Sequence, residues 1–571
     1  MLTNSLLAGA LGAAYLTILV LQLNPQVPLF SGTTWRWFAT LGTLYGVHLA
    51  VTFYVTIVVR EFVALDGLSP GWASVRVLAW MSAASAAVAA VLMWLNVEGF
   101  SAALTEVAAR RMTMGATATT ASAVVLLAIA IAHYSFGRRG SKVGAALFLI
   151  AAFGSLALPL AARGPAVAPP PPQEPSSATP LADVEPGPRV VMLLLDGGSL
   201  DYVWPRTAEG RLPNFARLLE KGAWMGVATV RPTQPDSVWA AVATGMYASK
   251  NGVRSAASYY ARNDTRGVDL LPDHIFSHVL VHLGFVRDEP NDSTAWRARP
   301  LWGILADAGI SVGVVRWPLT YPAPAVPGFV VSDRFHQLVG SIAGFSRAAY
   351  PPELPPVLQP SEGGAIPDEP SEGGRATQAP ETSALARDRF YRDALAQATT
   401  IVPPRFAAIR YEGLDTVGHY YFQYSQALAS RGVPEEERRR RSQIIDRYYA
   451  YIDGEIGTAL DGLAPGDLLL VASGFGMARL NPVKQAVGRL LGDPDFTGTH
   501  ERAPDGFLLA YGTDTQAGHR PRGSIVDIAP TILYFLGLPI ARDMDGYARA
   551  DLFSRAFTAE RPIAFIPTYN R

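Results

Sequence analysis

Apolar and polar positions divide this chain near residue 163. Before that point, five apolar stretches approach the ~20 residues needed to cross a bilayer. They run from Ser5 to Asn24, Trp37 to Val59, Val77 to Val97, Gly115 to His133 and Val143 to Ala162. The fourth, rich in Ala and Thr, carries the weakest pattern. The first lacks the basic leader and cleavage site of a signal peptide, and further spans follow it, so residues 1–163 are predicted to form a multi-pass membrane region. Trp35, Trp37, Trp72 and Trp94 near span ends suit an aromatic belt. Arg60, Arg76, Arg138, Arg139 and Lys142 share the side of the amino terminus, against Arg36, Arg110, Arg111 and Arg163 on the other. That small excess places the amino terminus in the cytoplasm. A cell-membrane protein with an extracytoplasmic (periplasmic) carboxyl domain is expected.

Residues 164–188 are a Pro-rich linker, an extended spacer rather than a packed element. From Arg189 the period changes. "RVVMLLLD", "ISVGVVRW", "FAAIRYEG", "DLLLVAS" and "DGFLLAYG" read as buried strands, and Leu212 to Lys221 and Glu435 to Leu463 as helices between them. Such alternation predicts a doubly wound α/β domain with a mostly parallel sheet over residues 189–571. Two insertions interrupt it. One, near 269–302, is expected to be helical; the other, near 350–382, repeats "PSEGG" and is read as loop. The run "EEERRRR" at 435–441 is read as a solvated helix face.

Composition narrows the chemistry. The 48 basic and 48 acidic residues cancel, so charge gives no argument for a nucleic-acid partner. The absence of cysteine excludes disulfides, thiolate metal sites and cysteine nucleophiles. Hard ligands remain at three strand ends. Asp196 follows the first strand and precedes two glycines; Asp415 and His419 lie four apart, on one face of a helical turn; His500 lies in a Gly/Thr loop before another strand. Oxygen and nitrogen donors without sulfur suit Zn²⁺ or Mn²⁺. Taken singly, an Asp after a strand more often caps the next helix, and a lone His is more often structural.

In order, "LLLDGG", "PTQPDSVWAAVATGMYASKNGV", "YEGLDTVGH", "GTH" and "DIAPTILYFLGLPIARDMDG" resemble the type I phosphodiesterase and nucleotide pyrophosphatase branch of the alkaline phosphatase superfamily. The resemblance covers most of Arg189 to Phe553. It implies a two-metal site. One metal falls to Asp415, His419 and His500. The second falls to Asp196, a Ser or Thr nucleophile, and an Asp-His pair within Ser-Asp-His-Gly-Met.

Here that last motif reads Ser473-Gly474-Phe475-Gly476-Met477, and the expected nucleophile position holds Pro235. Its hydroxyl neighbours are Thr233, which reads as a helix N-cap paired with Asp236, and Ser237, turned about 200° away around the helix. Asp201, Asp236, Asp543 and His519 are further candidate replacement ligands. One ion rather than two is therefore expected. Two functions follow: a membrane-anchored single-metal or rerouted hydrolase or phosphotransferase, or a pseudoenzyme. The ligand expected for either is a phosphoester, a lipid headgroup or a glycan phosphate, and the pseudoenzyme reading adds a protein partner.

Overall fold

The computed structural model describes residues 2–63, 75–136, 142–168, 171–172, 187–339, 344–358, 379–425, 434–491, 496–501 and 503–570. Trp72, Arg138, Arg139, most of the Pro-rich linker and most of the PSEGG insertion lie outside these described residues. The chain forms two units: residues 1–170 with 257–290, and residues 171–256 with 291–571.

In the first unit five helices are long and apolar enough to cross a membrane: Leu2–Leu23, Gly32–Val59, Val77–Ala103, Glu106–Ala132 and Lys142–Arg163. The second passes through a π-helical turn at Gly42–Gly46. A Cβ on Gly9 would lie 2.3 Å from the Gly46 carbonyl oxygen. The first two helices therefore approach through glycines, the small-residue contact that van der Waals packing in lipid favours. Arg163 ends the fifth helix and is buried. Its guanidinium donates to the carbonyls of Leu21 (2.8 Å), Asn24 (3.1 Å) and Val27, capping the carboxyl end of the first helix.

Residues 269–302 hold the helix Ser277–His282 and the 3₁₀ turns Asp273–Ile275 and Ser293–Ala295, together with the second arm of a hairpin, Ala257–Ala261 against Val286–Pro290.

The second unit is built on a ten-stranded sheet. At its centre Val190–Leu195 pairs in parallel with Phe406–Tyr411 on one side and Leu468–Phe475 on the other. Val312–Val315 continues the parallel run beyond Phe406–Tyr411, followed by Gly328–Val331. On the other flank Asp505–Gly512 is antiparallel to Leu468–Phe475 and to Ala223–Ala228. The five strands read from sequence are all present. Ala223–Ala228 and Gly328–Val331 are additional.

Burial alternates as a doubly covered sheet requires. Val190, Met192, Leu194, Leu468, Leu470 and Ala472 face one hydrophobic layer, with the helix Pro235–Thr244 in it. Leu193, Leu195, Leu469 and Val471 face the other, with Tyr448, Tyr449 and Ile452 of the helix Glu435–Asp461. This topology brings the carboxyl ends of the three central strands side by side, where such sheets place ligands.

Candidate metal centre

Asp415 lies in the first turn of the helix Gly413–Ser425, directly after the strand Phe406–Tyr411. The buried Asp388 carboxylate fixes that turn by accepting from the backbone N–H of Glu412 (3.3 Å) and Gly413 (3.2 Å) and from Tyr448 Oη (2.6 Å). Gly413 is required there, because a Cβ would fall 1.6 Å from Tyr448 Oη. Gly197 is required for a similar reason. It has φ +75°, and a Cβ on it would press on the Asp415 backbone at 3.1 Å.

One helical turn beyond Asp415, His419 brings Nε2 to 3.4 Å from Asp415 Oδ2. His500, in the loop after the short strand Gly498–Thr499, faces His419 with ring centroids 5.1 Å apart. Ligand atoms from all three residues lie within 4.8 Å of one another.

Both imidazoles are oriented by backbone. His419 Nδ1 lies 2.9 Å from the Gly498 carbonyl, and His500 Nδ1 lies 2.7 Å from the Thr233 carbonyl. With Nδ1 donating to a carbonyl, each Nε2 keeps its lone pair for a cation, the usual outer-shell arrangement of a metal-binding histidine. Asp415 Oδ1 is buried with no hydrogen-bond partner. An orphaned carboxylate oxygen beside two aligned imidazoles fits a divalent ion, Zn²⁺ among them.

Asp196 is placed differently. It follows the strand Val190–Leu195, and both its oxygens are occupied. Oδ2 accepts from Arg410 Nε (2.9 Å) and Nη2 (2.5 Å), and Oδ1 accepts from the Trp239 indole at 2.5 Å. The structure gathers Asp415, His419 and His500 and leaves Asp196 in this fully buried ion pair. Desolvation opposes charge on Arg410, but Asp196 and Glu412 outweigh it and keep the guanidinium protonated.

Space around the missing Asp-His pair is filled. A Cβ on Gly474 would lie 2.3 Å from Val238 Cγ1 and 3.6 Å from the Trp239 ring. Phe475 is fully buried and packs its ring 5.2 Å from that of His500.

Both candidate hydroxyls are buried. Thr233 is 1% exposed and its Oγ1 donates to the Val230 carbonyl at 3.0 Å. Ser237 is 2% exposed and its Oγ has no partner. The expected Thr233 N-cap is corrected: the N-cap is Gln234, and Pro235 occupies the first helical position. Proline suits that position because its missing N–H is one that the helix leaves unpaired anyway. Asp236 is half-buried, its carboxyl pushed up to about 6 by desolvation, which Arg410 partly offsets. Asp543 holds Thr568 and Asn570, and His519 stacks on Trp224.

The residues missed by sequence are Arg410 and Trp239. An arginine in the penultimate position of a buried strand was the available signal, since such a side chain is rarely buried unpaired. Behind it runs a further network. Arg316, 1% exposed on its side chain, bridges Asp388 (2.6 Å) and Glu412 (2.7 Å). Burial opposes charge on Glu412, but Arg316, Arg410 and Arg387 hold its carboxyl down at about 2.

An open, mostly parallel sheet that gathers carboxylate and imidazole ligands past its strand ends is the architecture of the alkaline phosphatase superfamily. The chain belongs to the type I phosphodiesterase / nucleotide pyrophosphatase family, whose model matches residues 190–523. Members of the family typically bind divalent metals such as Zn²⁺. Among solved structures it is similar to human ectonucleotide pyrophosphatase / phosphodiesterase 5, with 15% identity over 64% of this chain and 100% of that one and a TM-score of 0.38. The murine protein gives 13%, 64%, 100% and 0.38, and an inactive murine variant in complex with AMP gives 13%, 64%, 100% and 0.39. No curated protein sequence matches the chain.

Proposed function

We propose that this protein is a membrane-anchored, single-metal phosphoester-binding member of its family, without the covalent serine or threonine route. Asp415, His419 and His500 hold one divalent cation, Zn²⁺ or Mn²⁺. The ligand is a phosphoester such as a lipid headgroup or a glycan-linked phosphate. A cation on these residues supplies Lewis acidity toward a phosphoryl oxygen.

The observation that carries this reading is the Arg410 guanidinium, paired through two nitrogens with Asp196. A fixed organic cation neutralises the carboxylate that a second metal would need, and the Trp239 N–H takes its other oxygen. Thr233 Oγ1 is engaged by the Val230 carbonyl, and Pro235 offers no hydroxyl, so on this reading the chain's own residues orient and enclose a ligand rather than attack it.

A second reading, hydrolysis, draws on Asp236. Its half-buried carboxyl, pushed up to about 6 beside Arg410, has the proton affinity of a general base.

Elemental analysis of the full-length protein in detergent, after dialysis against trace zinc and manganese, tests the proposal. One ion per chain is expected, lost in His419→Ala/His500→Ala. Two ions would overturn it. Steady hydrolysis of bis(p-nitrophenyl) phosphate, lost in Asp236→Asn but kept in Thr233→Ala and Ser237→Ala, would replace binding with the hydrolytic reading.

A further inference from the structure

The insertion between the hairpin arms groups with the membrane helices. Its second arm, Val286–Pro290, exposes Arg287, Asp288 and Glu289. Asn24, just past the end of the first membrane helix, accepts from the backbone N–H of Asp269 (2.9 Å) and Leu270 (3.0 Å) and donates to the Leu270 carbonyl (2.8 Å). Beyond this tie the chain turns along the helices. Leu271 and Leu280 share one apolar cluster with Val20, Leu21, Trp37 and Leu41, against which Leu16, Leu44 and Tyr45 also pack. Tyr45 Oη donates to the Ile275 carbonyl at 2.5 Å.

These contacts set a depth. Val20, buried in one cluster with Leu271 and Leu280, lies three residues before Leu23, the last residue of the first helix, or about 4.5 Å along its axis at ~1.5 Å per residue. That helix of 22 residues is about 33 Å long, against about 30 Å for the hydrocarbon core of a bilayer. The insertion thus reaches below the end of a helix that itself barely exceeds the hydrocarbon thickness.

At its tip Phe276 is 47% exposed and holds φ 57°, a strained conformation for a bulky residue, and Leu283 is 54% exposed. Apolar side chains held outward at this level gain by leaving water for the headgroup and acyl boundary. We propose that Asp273–Phe285 is a monotopic element embedded in that boundary, with Phe276 and Leu283 as its lipid-contacting side chains. The occupant of this surface is phospholipid, because the Phe276 carbonyl is held by Tyr45 of the second apolar helix, which exposes Val47 and Val51 nearby in sequence.

The chain contains no cysteine, so single labels need no background removal. Phe276→Cys and Leu283→Cys, carrying an environment-sensitive NBD fluorophore, are placed in full-length protein in phosphatidylcholine vesicles. Ile150→Cys, 69% exposed on a membrane helix, and Asp288→Cys on the hairpin arm serve as references. At both tip positions spin-labelled lipid is expected to quench emission about twofold and aqueous iodide to quench it little, as at Ile150→Cys. Iodide quenching equal to that at Asp288→Cys would overturn the proposal. Shielding from iodide without lipid quenching would also overturn it, showing that a second copy or another protein covers the tip. Leu283→Cys alone decides the matter if Phe276→Cys fails to fold.

Discussion

Two sides of the site differ. On one side Asp415, His419 and His500 keep a shared centre, with an orphaned carboxylate oxygen and two imidazoles aligned by carbonyls. On the other side Asp196 is sealed by a guanidinium and an indole, and Val238 and Phe475 fill the volume beyond. The contrast shows what occupies the place of a metal beside Asp196: a buried carboxylate is paired with a cation, and the space beyond it is packed.

Removing Arg410 should break this comparison most severely. Arg410→Ala leaves Asp196 buried and unpaired, and a loss of about 3–5 kcal/mol is expected in detergent melts. Arg410→Met/Asp196→Leu should recover most of it, since no charge then remains uncompensated. If both variants melt like the wild type, the pair is not the clamp described here.

Rebuilding the lost ligands should also fail. Gly474→Asp puts a carboxylate against Val238 Cγ1 and is expected to destabilise by about 3 kcal/mol, combining overpacking with an unpaired buried charge. Neither that variant nor Gly474→Asp/Phe475→His should take up a second ion by elemental analysis. Uptake becomes possible only when Arg410 and Val238 are also replaced by small residues.

The network behind both halves predicts a pH dependence. Desolvation, with Arg316 and Arg387 nearby, lowers His336 from its ordinary 6.5 to about 3. Below about 6.5 the unfolded chain takes up a proton that the folded chain refuses until about 3, so stability falls on acidification through that window. The slope is about 1.4 kcal/mol per pH unit. His336→Gln should remove that component, visible as a flatter plot of melting temperature against pH. The smallest effect is expected at Ser237. Its buried hydroxyl has no partner, so Ser237→Ala should change stability by less than about 0.5 kcal/mol and leave metal content unchanged.

The five membrane helices and the central strands were legible because each depends on local pattern alone. Twenty apolar residues must span or be buried, and continuous runs such as "VVMLLL" must lie inside a sheet covered on both faces. Ala223–Ala228 lacked that pattern, since buried residues there alternate with half-buried ones, and Gly328–Val331 is only four residues long. The hairpin Ala257–Pro290 carried no mark of its grouping with the long apolar helices, which rests on a shared apolar cluster and on the hydrogen bonds of Asn24 and Tyr45.

At the site, sequence by itself singled out Asp415, His419 and His500, which the fold brings together, and the lack of metal-ligating side chains at Gly474 and Phe475. Spacing puts Asp415 and His419 on one helical face, and a missing side chain cannot coordinate anything. Only the tertiary structure decided the fate of Asp196. Its partners lie 43 residues away at Trp239 and 214 away at Arg410, and no periodicity links positions so distant. Strand register sets Leu194 against Arg410, and helix packing against the sheet presents Trp239. A cation therefore stands beside Asp196 for reasons that exist only once the sheet has formed.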